Sequence, residues 1–479
     1  MRAWLDYVQR HGGKGTVMAL FVFCAVPVLA LTVLLTPPGK SPDEPAHFAR
    51  ALGLLHGAVL AVRQPGTDIL TGKTEMQAGV KVNIGLYDIG AGVTTPIGGR
   101  SVLTQDNAAR LRGFAPIHQK RFVNIPNTAT YFPTAYVPAA LGVALGRAVH
   151  TTPYGCFLLA RFGMALSYLA LGLLALRLAA FGEAALLAIL LLPMSLFLAG
   201  TVNQDGQLIA LACLACAALT RGARGLGLVA FIVFLCAKPP YAAMLGVFLL
   251  PLFGPGFWHR VRQVALALVP VVLWVAYIVR FVVVPFSKAP YHPGPLYTGP
   301  VQLMSHTNSA TNLHILLAAP SRFFTLPARE LLHAGGWRLH EMVGVLGTLQ
   351  IVFSSSFYNA WFVALALTLV GLLFTARPAA TPPKAAAVNV AIVLGLIVLT
   401  CWLILIMFYL DWTNVGEAYI AGMQGRYWLP LLPFLLFAVP GLGPRLALPP
   451  ALLALPVVLM GIYDIGYIPL KLVWYFYLH

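Results

Sequence analysis

Residues 17–36, VMALFVFCAVPVLALTVLLT, run for twenty positions without a charged side chain. Such a run can cross a hydrocarbon core about 30 Å thick. Inside that core every backbone N–H and C=O must find its partner within the protein, so the run reads as a helix. Composition shows that it is not an isolated case. Charged residues make up only 9% of the 479 positions and apolar residues 59%, with a mean hydropathy of +0.82. A soluble chain carries roughly a quarter charged residues. The balance excludes a water-soluble enzyme, a disordered tail and a secreted disulfide scaffold. It points to an all-α polytopic membrane protein.

The first run follows Arg2, Arg10 and Lys14, and no small-residue cleavage site is evident, so it reads as a retained signal-anchor with a cytoplasmic N-terminus. Further apolar segments lie near 157–176, 184–200, 206–220, 225–237, 240–254, 263–284, 357–376, 387–409, 427–443 and 449–468, which brings the expected total to about eleven spans. The stretch 131–149 is ambiguous. As a full span it would put Arg221, Arg224, Arg260 and Arg262 outside. As a re-entrant or surface helix it puts them inside with Arg177, Arg377, Lys384 and Arg445, which the positive-inside rule favours. The second choice makes one membrane domain over 1–479 with two outer loops, 37–156 and 286–356, both expected to carry amphipathic helices. Twelve of the fourteen acids then fall at the outer face or its edge, with Asp6 and Glu183 the exceptions. The net charge of +17 would suggest nucleic acid in a soluble domain; here it reflects sidedness, and no nucleic-acid partner is expected. Cys213-x-x-Cys216, inside LIALACLACAAL, reads as small packing residues rather than a redox pair.

Polar chemistry gathers at the outer face. Ser41-Pro42-Asp43-Glu44-Pro45-Ala46-His47-Phe48-Ala49-Arg50 follows the first span. Ser41 as N-cap, Pro42 at the first helical position and Glu44 at the third would form a capping box. The helix would lie along the membrane on Phe48, Leu52, Leu55 and Leu60. Asp43, His47 and Arg50, spaced i, i+4, i+7, share one of its faces. A structural reading gives Glu44 to capping and Asp43 to the helix dipole; a functional one notes that carboxylates beside lipid are costly. Asn203 is placed to cap the next helix, with Asp205 at its positive end. Arg161, Lys238 (in Lys238-Pro239-Pro240-Tyr241), Arg280 and Arg426 (in Gln424-Gly425-Arg426-Tyr427) are cations near the same boundary. Each alone could snorkel. Together they suit a phosphate carried on a lipid. His292, His306, His314, His333, His340 and Glu341 in the second loop lack metal-ligand spacing, and no nucleotide-binding motif occurs. Tyr291, Tyr297, Trp337, Trp412 and Tyr419 suit interfacial anchoring or sugar stacking.

At PDEPAHFARALGLLHG (42–57), NQD (203–205), KPPY (238–241) and QGRYWLPLLP (424–433) the sequence resembles the bacterial membrane-protein family catalogued as domain of unknown function 2142. It departs at VGVLGTLQ (343–350), where Thr348 and Gln350 stand in place of the Trp and Asp of the family segment. The family's layout is similar to the C superfamily of integral-membrane glycosyltransferases. That resemblance implies a GT-C-like fold, a polyprenyl-phosphate-linked sugar donor and a glycan, lipid or protein acceptor. It implies for Asp43 the role of acceptor-activating carboxylate, assisted by Glu44. Lipid-phosphate and substrate contacts would come from His47, Arg50, Arg161, Asn203, Asp205, Lys238, Tyr241, Arg280, Gln424, Arg426 and Tyr427. No metal is required, and a divalent cation oriented by Glu44 and Asp205 is left open. The expected setting is the outer face of a bacterial plasma membrane. A lipid-linked glycan flippase, or a non-catalytic subunit of envelope polysaccharide assembly, is the alternative.

Overall fold

The computed structural model describes residues 13–67, 72–92, 105–114, 119–250, 256–285, 287–288, 305–376, 383–441 and 447–478. Six helices among them are long and apolar enough to cross a membrane: Lys14–Leu35, Pro153–Leu178, Phe257–Phe281, Ser355–Phe374, Ala386–Asp411 and Leu455–Leu478. A seventh arises if Pro193–Ala199 and Gln204–Thr220, bent by 118° at their junction, count as one broken span. The expected eleven is therefore not met by length. Segments read as spans at 225–237, 240–254 and 427–443 are helical but short. Arg224–Ala237 has 14 residues, while Pro239–Leu249 and Gly425–Phe437 wind as 3₁₀ helices of 11 and 13. Pro239, Pro240, Pro430 and Pro433 explain the winding, because each removes an N–H and blocks the α-helical contact to the turn before it.

Helix Lys14–Leu35 packs against Pro153–Leu178 and Leu455–Val473, and Gln204–Thr220 packs against Pro153–Leu178 and Arg224–Ala237. One end of this bundle is basic. Lys14 pairs with Glu183 at 3.4 Å and donates to the Ala179 carbonyl. Arg221 reaches the Arg177 carbonyl at 3.4 Å. The loops at Arg177 and Arg221 therefore share one end of the bundle. Arg2, Asp6, Arg10, Arg377 and Arg445 lie outside the described residues. Asp464 departs from the expected outer rim: it is fully buried midway along Leu455–Val473, beside Cys24 in the middle of the first helix.

The opposite end carries the first loop, which is not all helix. Val62–Thr67 (β1), Thr74–Asn83 (β2) and Lys120–Asn124 (β3) form an antiparallel sheet in the order β1-β2-β3, with Val62 opposite Gly79 and Gly79 opposite Asn124. Alternation makes the strand: Ala78, Val80 and Val82 are buried, while Gln77 and Lys81 are not. The sheet lies over helix Glu44–Leu55, with Val80 against Gly53. The ambiguous stretch contains a helix of 12 residues, Val137–Ala148. At 1.5 Å per residue it is about 18 Å long, too short to span. It lies against Pro153–Leu178 so closely that a Cβ on Gly142 would sit 2.1 Å from the Leu159 carbonyl oxygen. Only glycine permits that approach.

Candidate functional site

The helix after the first span begins at Glu44, not Ser41. The expected capping box is absent. Ser41 instead meets the Thr201 hydroxyl at 2.9 Å, and Asp43 takes the N-cap position in the left-handed region, with φ of 56° and no side-chain cap. An N-cap residue ordinarily has extended backbone and spends its side chain on the helix. Here the left-handed turn, tolerated by Asp at a cost of about 1 kcal/mol, releases the carboxylate for other work. The helix does not lie on the membrane either. Phe48 and Leu52 are fully buried in the protein, packed under the sheet and beside Phe157.

Glu44 and Arg161 form a closed node. Arg161 Nε and Nη2 donate to the two Glu44 oxygens at 2.8 and 2.7 Å. Its other protons go to the carbonyls of Val33, Thr36 and Pro37. Glu44 also accepts from the backbone N–H groups of Gly39 and Val202 at 3.1 and 3.0 Å. All five guanidinium donors are used, both residues have no exposed surface, and nothing is left for a substrate. The node ties the end of the first span to helices 153–178 and 204–220. Arg161 and Glu44, expected in the site, are its scaffold.

The neighbouring carboxylate has a different fate. Asp43 meets Arg426 Nη2 at 3.1 Å and accepts from Asn127 at 3.3 Å, with 37% of its side chain exposed. Asp205, at the start of Gln204–Thr220, pairs with Lys238 at 2.6 Å and faces Arg426 Nε at 3.4 Å without hydrogen-bond geometry. Asn203 caps that helix as expected, accepting from the Asp205 N–H at 2.8 Å, and its amide holds the Pro42 carbonyl. Lys238 follows the last α-helical residue, Ala237, and its ammonium lies 4.2 Å from the Tyr427 ring centroid. The Tyr427 hydroxyl accepts from Arg426 at 2.9 Å, while Tyr241 donates to the Tyr427 carbonyl. Arg426 is only 2% exposed, yet its Nε and Nη1 have no hydrogen-bond acceptor among the described residues. Two acids and two bases thus balance in charge but leave donors open.

His47 sits behind this cluster. Its Nδ1 is 2.8 Å from the Tyr136 hydroxyl, and its ring stacks on Tyr131. Burial pushes the imidazole down to about 4, a shift only partly opposed by Asp43 and Asp205, so the ring is neutral at pH 7. Burial also raises the Tyr131 and Tyr136 phenols, which keep their protons. Arg50, one turn on, is buried beside the Tyr136 ring at 6.0 Å.

Several participants were not foreseen. Glu341, buried in Arg322–Gly344 of the second loop, accepts the Gly425 N–H at 2.7 Å, and both its oxygens accept from Arg338 Nη1. A Cβ at Gly425 would lie 1.8 Å from the Arg338 carbonyl oxygen, so this glycine lets the Arg426 turn dock on that helix. Tyr131 and Tyr136 come from the stretch 131–149, weighed only as a possible span, and Asn127 just before it drew no notice. Gln204 is fully buried, and among the described residues neither its amide atoms nor the Gln424 side-chain oxygen has a partner. Arg280, expected among the cations, is exposed at the end of its helix beside Phe281. It lies apart because Phe257–Phe281 turns most of its surface outward. His292, Tyr291 and Tyr297 lie outside the described residues. Among those described, no group of three or more His, Cys, Asp or Glu side chains is placed to hold a metal ion.

Six or seven crossing helices with an ion cluster at one end define a multi-pass membrane protein. The chain belongs to the family described as Predicted membrane protein (DUF2142), which matches residues 27–435 and so takes in every residue of the cluster. Neither the curated proteins nor the solved structures give a significant match.

Proposed function

We propose that this protein is a polyprenyl-phosphate-sugar-dependent glycosyltransferase working at the outer face of a bacterial plasma membrane. The observation that carries the reading is Arg426, a buried guanidinium with free donors beside the most open carboxylate of the cluster, Asp43. A lipid phosphate entering at Arg426 Nη1 competes for Nη2 and releases Asp43 from its single contact with that arginine. Asp43 then takes the proton of the acceptor hydroxyl as the new bond to the sugar's anomeric carbon forms. The bond from that carbon to phosphate oxygen breaks, and polyprenyl monophosphate leaves with the electron pair. Arg426 and Lys238 stabilise the charge gathering on it. His47, neutral and held by Tyr136, contributes a dipole without adding charge.

Sidedness supports the reading. The basic end formed by Lys14, Arg177 and Arg221 suits the cytoplasm and leaves the cluster outside, where nucleotide sugars are not available. A cysteine at Gly225, where a side chain meets nothing within 4 Å, should resist impermeant thiol reagents applied outside intact cells. External labelling there would put the cluster on the wrong side.

The direct test is Asp43→Asn, which keeps a residue tolerant of the left-handed turn and removes only the charge. Transfer from a lipid-linked sugar pool should fall about 10²–10⁴-fold. An unchanged rate would remove Asp43 from the chemistry. Asp464 favours a second reading, movement of a lipid-linked glycan, because it is a carboxylate buried at mid-depth with no cation paired to it among the described residues. Under that reading Asp464→Asn would stop translocation and Asp43→Asn would not.

A further inference from the structure

Arg50 has no exposed surface, and among the described residues no carboxylate reaches it. Only Nη2 is engaged, donating to the carbonyls of Val59 at 3.3 Å and Tyr131 at 3.0 Å. Nε and Nη1 are buried without acceptors among the described residues. An uncompensated buried charge costs several kcal/mol, so the site is built for an anion that the described residues do not supply.

What that anion is attached to follows from the surroundings. Leu60 and Phe132, each next in sequence to a carbonyl that Arg50 holds, line a cavity of about 470 Å³. Ile232, Leu273, Trp274 and Tyr277 stand among the residues of its apolar wall. The wall is shared by Arg224–Ala237 and Phe257–Phe281. The second is the least buried of the six candidate spans, and Leu273 on it is 64% exposed, so the cavity opens towards lipid. An occupant must join an apolar chain to a compact anion. A glycerophospholipid presents its phosphate as a diester crowded by glycerol and two chains. A terminal phosphate on a single chain suits a cation with no exposed surface.

We propose that this cavity holds the head-proximal part of a polyprenyl chain whose terminal phosphate is bound by Arg50, and that it is where the monophosphate product resides after transfer. The product role rests on the transferase reading; the lipid site does not. Arg50 lies two turns along the helix that Asp43 caps, so a phosphate released at Arg426 has a second basic group to move to.

The experiment measures binding of a long-chain polyprenyl monophosphate to the full-length protein in nanodiscs, beside the unphosphorylated polyprenol and phosphatidylglycerol. The monophosphate should bind at least about tenfold more tightly than either, and Leu273→Trp, which fills the cavity from its lipid side, should weaken it about tenfold with an unchanged unfolding temperature. Arg50→Gln should weaken it as much. Should that variant misfold, Leu273→Trp decides the matter. Equal binding of polyprenol would mean that no phosphate is read, and equal binding of phosphatidylglycerol would reduce the site to a generic anionic-lipid contact. An unaffected Leu273→Trp alongside loss of sugar-donor binding in Arg426→Ala would remove the cavity and keep the transferase. Sensitivity to Leu273→Trp without any sugar transfer would do the reverse.

Discussion

Asp43 and Glu44 are adjacent in sequence, both carboxylates, and each meets an arginine, yet they do opposite things. Glu44 accepts from Arg161 twice and from two backbone N–H groups, and Arg161 has no proton left over. Asp43 touches Arg426 once, stays partly open, and leaves Arg426 with donors unspent. The first arrangement is complete without a ligand and works as a rivet between the first span and its neighbours. The second is complete only in charge. Saturation of hydrogen bonds, rather than burial or pairing, separates the scaffold from the site.

That contrast breaks most sharply in stability. Glu44→Gln or Arg161→Met leaves its partner charged and buried, which should cost about 3–5 kcal/mol and most of the folded protein. Asp43→Asn should cost within about 1 kcal/mol, since its carboxylate is a third exposed and asparagine keeps the turn. Matched denaturation curves in detergent would show it; equal losses for both residues would erase the distinction.

A smaller effect should come from Glu341→Gln. It weakens the anchor of the Gly425 N–H and should loosen the Arg426 turn, lowering donor affinity by about 1–2 kcal/mol with folding retained. Unchanged affinity would leave Glu341 only its contacts with Arg338 and Trp337. The smallest is a pH effect from His47. Its folded value lies near 4, below its ordinary 6.5, so the unfolded chain takes up a proton that the folded chain resists. This contribution is full above about pH 6.5 and is lost as pH falls towards about 4. Unfolding temperature should drop over that window in wild type and drop less in His47→Gln. Identical slopes would show that His47 does not control the limb.

Much of the cluster could be read from the chain. Asp43, Asp205, Lys238, Tyr241, Arg426 and Tyr427 stand at segment ends where charge beside lipid is costly, and they converge in space. Roles within the pairs could not be read. The pattern Ser-Pro-Asp-Glu fits a capping box, and only the left-handed turn at Asp43 moves the helix start by two residues and exchanges what the two carboxylates do. Glu341 was hidden because its partner is a backbone N–H 84 positions away, which no local pattern reports. The sheet was present in the alternation of Ala78, Val80 and Val82 but was masked by the helical expectation for the whole chain. The described helices fall short of the expected span count partly at prolines, which wind Pro239–Leu249 and Gly425–Phe437 as 3₁₀ helices.

The central claim is that Arg426 awaits a lipid phosphate, and the binding of a polyprenyl-phosphate sugar to purified protein in nanodiscs tests it most directly. Arg426→Ala should weaken binding by about 10–100-fold, the worth of one or two charge-assisted hydrogen bonds. Arg426→Lys should fall between Ala and wild type, because it keeps the charge and loses the guanidinium fork. Equal affinity for wild type and Arg426→Ala would contradict the claim and leave the arginine as a counter-ion to Asp43 and Asp205 alone.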